Sequence, residues 1–308
     1  MRVLFWGTPE FATPALRALL GEGFDVVGVV TQPDKPLGRS RSTIHAPPVK
    51  QVGVEEGLPV LQPDRPRGEE FLAALRELNP DISVVVAYGQ LLPEEVILLP
   101  PRGTLNIHAS LLPDYRGAAP IQAAIRDGCE WTGVSIMRMV QRLDAGPVIL
   151  QLGTSVSEDE TYGELSLRLA ELGAAALIEA LALIEAGKAA ETPQVDSLAT
   201  YAPKIDRALC RVDWSRSGIQ VARAVRAYDP TPGAFTTLEG IDVKLFGARK
   251  ATDFGTPGEV LAAGDDGIVI ACGEGSVRIS HVQPAGKRRL SAGEWARGRG
   301  IAVGRRFA

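Results

Sequence analysis

"MRVLFWGTPEFATPALRALLGEGFDVVGVV", Met1–Val30, holds an apolar run, a Gly-Thr-Pro turn, a helix-like stretch and a second apolar run. Val3–Trp6 and Val26–Val30 are unbroken apolar segments, the pattern of strands buried on both faces. Between them Ala12–Leu20 carries apolar residues at helical spacing. Gly7 followed by Thr8 and Pro9 predicts a tight strand-to-helix turn, with Thr8 as the cap and Pro9 at the first helical position. Gly7 alone is not the G-x-G-x-x-G that lets a backbone approach a pyrophosphate, and no Walker lysine motif follows, so nucleotide binding is set aside.

The alternation continues. Ile82–Ala87 and Thr104–Ile107 read as further buried strands, Phe71–Leu78 as a helix, and Pro48–Gly57 as a helix started by its proline and stopped by its glycine. Val134–Val140 and Pro147–Leu152 read as two more strands before a long helix over Tyr162–Ala186. Repeated strand–helix alternation predicts an α/β domain with an open, mostly parallel sheet. In such sheets ligands lie beyond the carboxyl ends of the strands, where the strand order reverses. Functional residues are therefore expected just after strands.

Residues 188–204 lack a sustained period and contain two prolines, which predicts an interdomain linker between a domain over 1–187 and another over 205–308. Beyond it, one helix over Ser217–Tyr228 precedes five short segments: Ala234–Leu238, Val243–Phe246, Gly258–Leu261, Ile268–Cys272 and Val277–Val282. Glycine-containing turns separate several of them, which predicts a small antiparallel β-barrel of the OB type.

A chain of 308 residues, 45% hydrophobic and 23% charged, has the make-up of a globular protein with room for two domains. No apolar run reaches the ~20 residues of a membrane helix, and the N-terminal run, broken by Gly7 and Pro9, reads as a strand and not a signal peptide. Cys129, Cys210 and Cys272 are odd in number and far apart, which argues for a reducing cytoplasm and against a disulfide framework. With only His45, His108 and His281 besides, no zinc-type cluster is expected. Net charge is −4, yet residues 205–308 carry 16 Lys and Arg against 11 Asp and Glu. A basic C-terminal part suits a polyanionic partner, and equally a basic surface with no partner at all.

The chemistry concentrates in "NIHASLLPDYRG", Asn106–Gly117. Alternate residues of a strand face one side, so Asn106 and His108 can present an amide and an imidazole to one pocket. Two N–H groups aimed at one point stabilise a developing oxyanion, and an imidazole relays protons near neutral pH. Ser110 lies in no G-x-S-x-G elbow, which removes a serine hydrolase. A histidine of this kind needs an acid to orient it, and Asp144 in "QRLDAGPV" is the best-placed carboxylate, with Gly146 permitting close approach. Transfer at a carbonyl and a hydrogen-bonded structural histidine both fit these residues. Ser110, Leu111, Leu112 and Pro113 form a short stiff apolar segment suited to lining a pocket for a flat ring.

"NIHASLLPDYRGAAPIQ", "LDAGPVI", "VVVAYGQLLP" and "FWGTPEFA" together resemble the folate-dependent formyltransferases. "TQPDKPLGR", residues 188–204 and "QPAGKRRL" resemble the branch of that family whose acceptor is the methionine amine of initiator tRNA. The resemblance runs over essentially the whole chain. It implies a Rossmann-like N-terminal domain, an OB-like C-terminal domain, 10-formyltetrahydrofolate as formyl donor, initiator Met-tRNA as acceptor, no metal, and a cytoplasmic monomer. On this sequence the family's catalytic residues fall on Asn106, His108 and Asp144. Its folate-binding stretches fall on Ser110, Leu111, Leu112 and Pro113, and on Gln90, Leu91, Leu92 and Val140. Its basic loop falls on residues 34–50, with Lys35, Arg39, Arg41 and Lys50 as candidate tRNA contacts. Arg223, Arg226, Lys287, Arg288 and Arg289 are the candidates of the C-terminal domain. The same catalytic domain also serves sugar-nucleotide formyltransferases and formyltetrahydrofolate hydrolases, and a non-catalytic RNA-binding protein on a decayed enzyme fold is the rival from another class.

Overall fold

The computed structural model describes residues 1–37, 43–298 and 300–308. In chain order its elements are β1 (Arg2–Gly7), α1 (Thr13–Gly21), β2 (Asp25–Val30), β3 (Lys35–Leu37), β4 (Thr43–His45), α2 (Pro48–Glu55), β5 (Val60–Leu61), α3 (Glu69–Leu78), β6 (Ile82–Val86), α4 (Glu94–Ile97) and β7 (Thr104–His108). Next come β8 (Arg116–Gly117), α5 (Pro120–Asp127), β9 (Trp131–Arg138), β10 (Val148–Ser155), α6 (Tyr162–Glu185) and β11 (Tyr201–Ala202). The remainder is α7 (Gly218–Ala227), β12 (Ala234–Leu238), β13 (Ile241–Ala251), β14 (Val260–Gly264), β15 (Gly267–Ala271), β16 (Ser276–Pro284), β17 (Leu290–Ser291) and α8 (Ala292–Arg297).

The chain packs as two units, one of Met1–Gly117, Thr132–Thr154 and Ser166–Tyr201, the other of Ala118–Trp131, Ser155–Leu165 and Ala202–Ala308. In the first, the sheet order is β10-β9-β7-β6-β1-β2-β5, with β7, β6, β1, β2 and β5 parallel. The chain runs outward from β1 through β2 to β5, then returns to β6 on the other side of β1, so the order reverses between β1 and β6. The unbroken apolar runs form these central strands because both faces are covered: Val3, Leu4, Phe5 and Trp6 are 0–1% exposed. Trp6 meets Tyr88 edge-on at 5.3 Å within a cluster that includes Val30, Leu72, Leu75, Val85 and Leu92.

The turn after β1 departs from its expected form. Pro9 precedes a 3-10 turn over Glu10–Ala12, and the α-helix begins only at Thr13. Thr8 caps no helix; its hydroxyl donates to the Tyr88 carbonyl at 2.9 Å and accepts from the Gln32 amide at 3.4 Å. Three strand ends need polar partners at the reversal point, and that demand outweighs a local cap. Gly7 is required by contact: a Cβ there would lie 2.8 Å from the Ala12 Cβ and 3.1 Å from the Val86 carbonyl.

The second unit holds an antiparallel sheet in the order β12-β13-β16-β15-β14, with β17 paired to β16. The C-terminal tail supplies the closing edge: Ala308 exchanges backbone hydrogen bonds with Thr237 of β12, while Arg305 and Phe307 bond Val260 and Gly258 beside β14. A mostly parallel α/β sheet, with β9 antiparallel to β7, followed by a small antiparallel β domain, is the fold class the sequence predicts. Helix α7 starts at a capping box, Ser217 with Gln220, and turns Val221, Ala222 and Val225 inward.

Residues 188–201 run along the first unit with defined partners. Thr192 exchanges backbone hydrogen bonds with Val148 at 2.8 Å, and Asp196–Leu198 forms one 3-10 turn. The contacts are made by isolated polar groups, which leave no periodic signature.

Candidate active site

β7 delivers Asn106 and His108 to the carboxyl end of the sheet, two residues apart and on one face. Asn106 faces Val85 of β6 and Met137 of β9 in register. It is half-buried, and its amide has no hydrogen-bond partner among the described residues. His108 is 5% exposed. Its Nε2 lies 2.9 Å from the Tyr115 carbonyl, an acceptor only, so Nε2 carries the hydrogen and donates. The other nitrogen, Nδ1, lies 3.7 Å from Asp144 Oδ2. Tyr115 thus fixes the ring and leaves Nδ1 facing Asp144.

Asp144 reaches this position from the loop after β9. Its φ of 47° is left-handed, a region aspartate visits more readily than most residues. Oδ2 also accepts from the Gly117 amide at 2.8 Å, which anchors the carboxylate. Gly146 lets the loop turn back: a Cβ there would sit 1.9 Å from the Arg138 carbonyl. The structure therefore brings His108 and Asp144 together and leaves the Asn106 amide available on the same strand.

The segment after β7 is held from below. Ser135 in β9 accepts from the Leu112 amide at 3.0 Å and donates to the Ser110 carbonyl at 2.6 Å, and Gln151 donates to the Leu112 carbonyl at 2.9 Å. Ser110 is 1% exposed and its hydroxyl donates to the Asp114 carbonyl, so it shapes the turn and does not offer its side chain to a ligand. Leu112 is likewise buried, Leu111 half-buried, and Pro113 borders, with Val148, Leu150 and Leu198, a cleft of about 370 Å³.

Gln90 is half-buried and donates to the Gln32 side chain at 3.3 Å and the Asp64 carbonyl at 3.0 Å. Leu92 is in the core, whereas Leu91 is 80% exposed. Gln141 donates to Glu94 at 3.2 Å, and Met139 packs on the cluster holding Leu92, so the loops at 90–94 and 139–144 lie side by side. Val140 and Leu143 are exposed apolar side chains beside Asp144. Leu143 escaped the sequence reading because a lone leucine in a polar loop gives no pattern. Among the described residues no group of three or more His, Cys, Asp or Glu could hold a metal ion.

The basic candidates separate. Lys35 is exposed on β3. Arg39 and Arg41 lie outside the described residues. Lys50 is spent on Asp34 at 2.7 Å, and hydrogen bonds from Gln62 and then Lys50 hold the Asp34 carboxyl below its usual range. In the second unit Lys287 and Arg288 are exposed after β16. Arg289 instead pairs with Asp229 at 3.2 Å and covers the Phe246 ring at 4.1 Å. Arg223 is half-buried against Gly128. Arg226 corrects the expectation that it binds tRNA: it is 6% exposed, donates to the Glu160 carbonyl at 2.9 Å, and burial lowers its pKa. It lies on the inward face of α7, where an arginine acts as an internal brace and not as a phosphate ligand.

The Formyl transferase family matches residues 1–181, and its C-terminal domain matches residues 204–300. A methionyl-tRNA formyltransferase of Magnetococcus marinus is 48% identical over 99% of this chain and 98% of its own length. One of Aromatoleum aromaticum is 47% identical over 100% and 97%. Among solved structures, HypX from Aquifex aeolicus in complex with tetrahydrofolic acid is 26% identical with a TM-score of 0.67, covering 96% of this chain and 46% of that one. This chain therefore spans about half the length of the HypX chains it matches. WlaRD, a sugar 3N-formyl transferase, has a TM-score of 0.69 at 16% identity over 94% of this chain and 99% of its own, a likeness of fold alone. With both family domains matched in order and full-length relatives at such identity, the chain belongs to the formyl transferase family.

Proposed function

We propose that this chain transfers the formyl group of 10-formyltetrahydrofolate to the α-amine of methionine on initiator Met-tRNA, in the cytoplasm, for translation initiation. The observation that carries the chemistry is the pairing of His108 Nδ1 with Asp144 at 3.7 Å, one residue along the same strand face from the Asn106 amide, which has no hydrogen-bond partner among the described residues. The full-length likeness to methionyl-tRNA formyltransferases supports this acceptor, whereas the sugar-formyltransferase reading has fold likeness alone behind it.

The folate supplies the formyl carbonyl. Exposed Leu91 and Val140, with the turn at 110–113, would hold its ring, the buried Ser110 shaping that turn from within. Asn106 donates to the formyl oxygen as negative charge develops there, and His108 assists with the hydrogen on Nδ1, since Nε2 is committed to Tyr115. Asp144 stabilises the charged imidazole and takes part in moving the proton from the attacking amine to N10 of the folate, so that the bond between N10 and the formyl carbon breaks and tetrahydrofolate leaves. Nothing in this scheme needs a covalent adduct with the protein.

Residues 1–187 are proposed as the catalytic part, 188–204 as the connection and 205–308 as the tRNA-binding part. Lys35, Arg39 and Arg41 would meet the acceptor end, with Lys287, Arg288 and the half-buried Arg223 on the tRNA backbone. The monomer is the proposed acting form.

The deciding assay supplies 10-formyltetrahydrofolate with Met-tRNA, with an amino-sugar nucleotide, or with water alone, and follows the product. Formyl-Met-tRNA is expected to dominate. A formylated sugar or free formate as the main product contradicts the proposal, and no product with any acceptor points to the non-catalytic alternative.

A further inference from the structure

We infer that Gln194 is a positioning residue for the reaction: its side-chain amide, braced by the buried Arg116, holds the Asp144 loop so that the carboxylate faces His108. The inference rests on the reading of His108 and Asp144 as the reacting pair.

The loop has reason to need a hold. Asp144 sits at φ 47°, and Gly146 turns where a Cβ would strike the Arg138 carbonyl. Between Arg142 and Gly146 the loop makes one internal backbone hydrogen bond, Ala145 N–H to the Arg142 carbonyl at 3.3 Å. The carbonyls of Asp144 and Gly146 both turn to one donor, Gln194 Nε2, at 2.8 Å each. A single amide nitrogen with two hydrogens thus sets the backbone on either side of Ala145.

Gln194 is itself oriented. Its Oε1 accepts from Arg116 Nε at 3.0 Å, which fixes which end of the amide faces the loop. Arg116 is 1% exposed, and its Nη1 donates to Asp196 Oδ1 at 2.9 Å. Arg142, at the start of the same loop, donates to the other oxygen of Asp196 at 2.8 Å and closes the ring of contacts. Hydrogen bonds from Arg142 and then Arg116 hold the Asp196 carboxyl below its usual range, so it stays an acceptor.

The same segment also governs the other partner of His108. Thr200 accepts from the Tyr115 amide through its hydroxyl at 2.8 Å and from the Arg116 amide through its carbonyl at 2.9 Å. The Tyr115 carbonyl receives His108 Nε2, and the Gly117 amide donates to Asp144. Residues 194–200 therefore fix both groups that flank the imidazole. Partners of this kind, one shell behind a reacting group, alter rates by orienting it.

Chemistry singles out glutamine. The position needs an acceptor for Arg116 and donors for two carbonyls, and only an amide offers both. Gln194→Glu keeps the acceptor and loses the donors, whereas Gln194→Leu loses both.

The test is steady-state formylation of Met-tRNA by the full chain carrying each variant, with folding checked by circular dichroism and thermal melting. Both variants are expected to lose about 10–100-fold in kcat, with KM for donor and tRNA near wild type. The pH dependence of kcat is expected to be displaced, because Asp144 no longer faces His108 squarely. If Gln194→Leu does not fold, Gln194→Glu, which still satisfies Arg116, carries the test. Wild-type kcat and pH profile in Gln194→Glu overturn the inference, as does a loss matched by a smaller folded fraction. Asp144→Asn, measured alongside, separates the two readings. If it is inactive while Gln194→Glu is normal, only the positioning role fails; if it is itself normal, the reacting pair fails.

Discussion

Asp144 shows how much of this site depends on single backbone positions. Its left-handed φ aims the carboxylate back at His108, and two residues later the chain passes so close to Arg138 that only glycine fits. Adding one methyl at Gly146 would push the loop outward by more than its hydrogen bonds to Gln194 tolerate. Gly146→Ala is therefore expected to lower kcat on the order of 10²-fold, the usual effect of displacing a reacting group by about an ångström. Thermal stability should fall less than turnover, because the loop carries no core side chain although Gly146 itself is buried. Rates and melting curves on the same preparation check this. An alanine variant with normal turnover would mean that the loop position does not govern the reaction. Asn106 and His108, at the carboxyl end of β7, and Asp144 and Gly146, in the loop after β9, were all legible in the sequence, since each lies at or beyond the end of a strand and has a chemistry its neighbours lack. Which His108 nitrogen faces Asp144 was not legible, because Tyr115 fixes it through a backbone carbonyl that any residue could supply.

At the level of elements, strands with unbroken apolar runs were found to within a few residues: β1, β2, β6 and β7 all lie where their composition placed them. Long buried segments read well because burial on both faces leaves no polar interruption. Three features read poorly for one shared reason. Thr8 looked like a cap but ties β1 to β2 and β6; residues 188–201 looked like a bare connection but carry Gln194 and Thr200; Arg226 looked like a surface cation but braces Glu160. Each depends on a partner between 24 and 85 residues away, which local sequence does not record. Arg226 had one local clue: its neighbours Val225 and Ala227 are apolar, and four positions before it Ala222 already faces inward. Leu143 had none.

For the molecule as a whole, the charge division matters more than the net charge of −4. Of the basic residues after 205, several are internally paired, among them Arg207 with Asp242, Arg249 with Asp159 and Lys250 with Glu158. Lys287 and Arg288 stand exposed. Each cation that meets a phosphate steepens the fall of affinity with salt by about one unit of log–log slope. The double variant Lys287→Ala/Arg288→Ala is accordingly expected to weaken Met-tRNA binding and flatten its salt dependence by up to about two units, leaving folate binding unchanged. An unaltered slope would remove this turn from the tRNA surface. The proposed reaction depends on the pairing of His108 with Asp144, and the most direct measurement is single-turnover formyl transfer to Met-tRNA by Asp144→Asn, with donor affinity measured in parallel. The prediction is a loss of most of the transfer rate with donor affinity little changed. A near-normal transfer rate would contradict it.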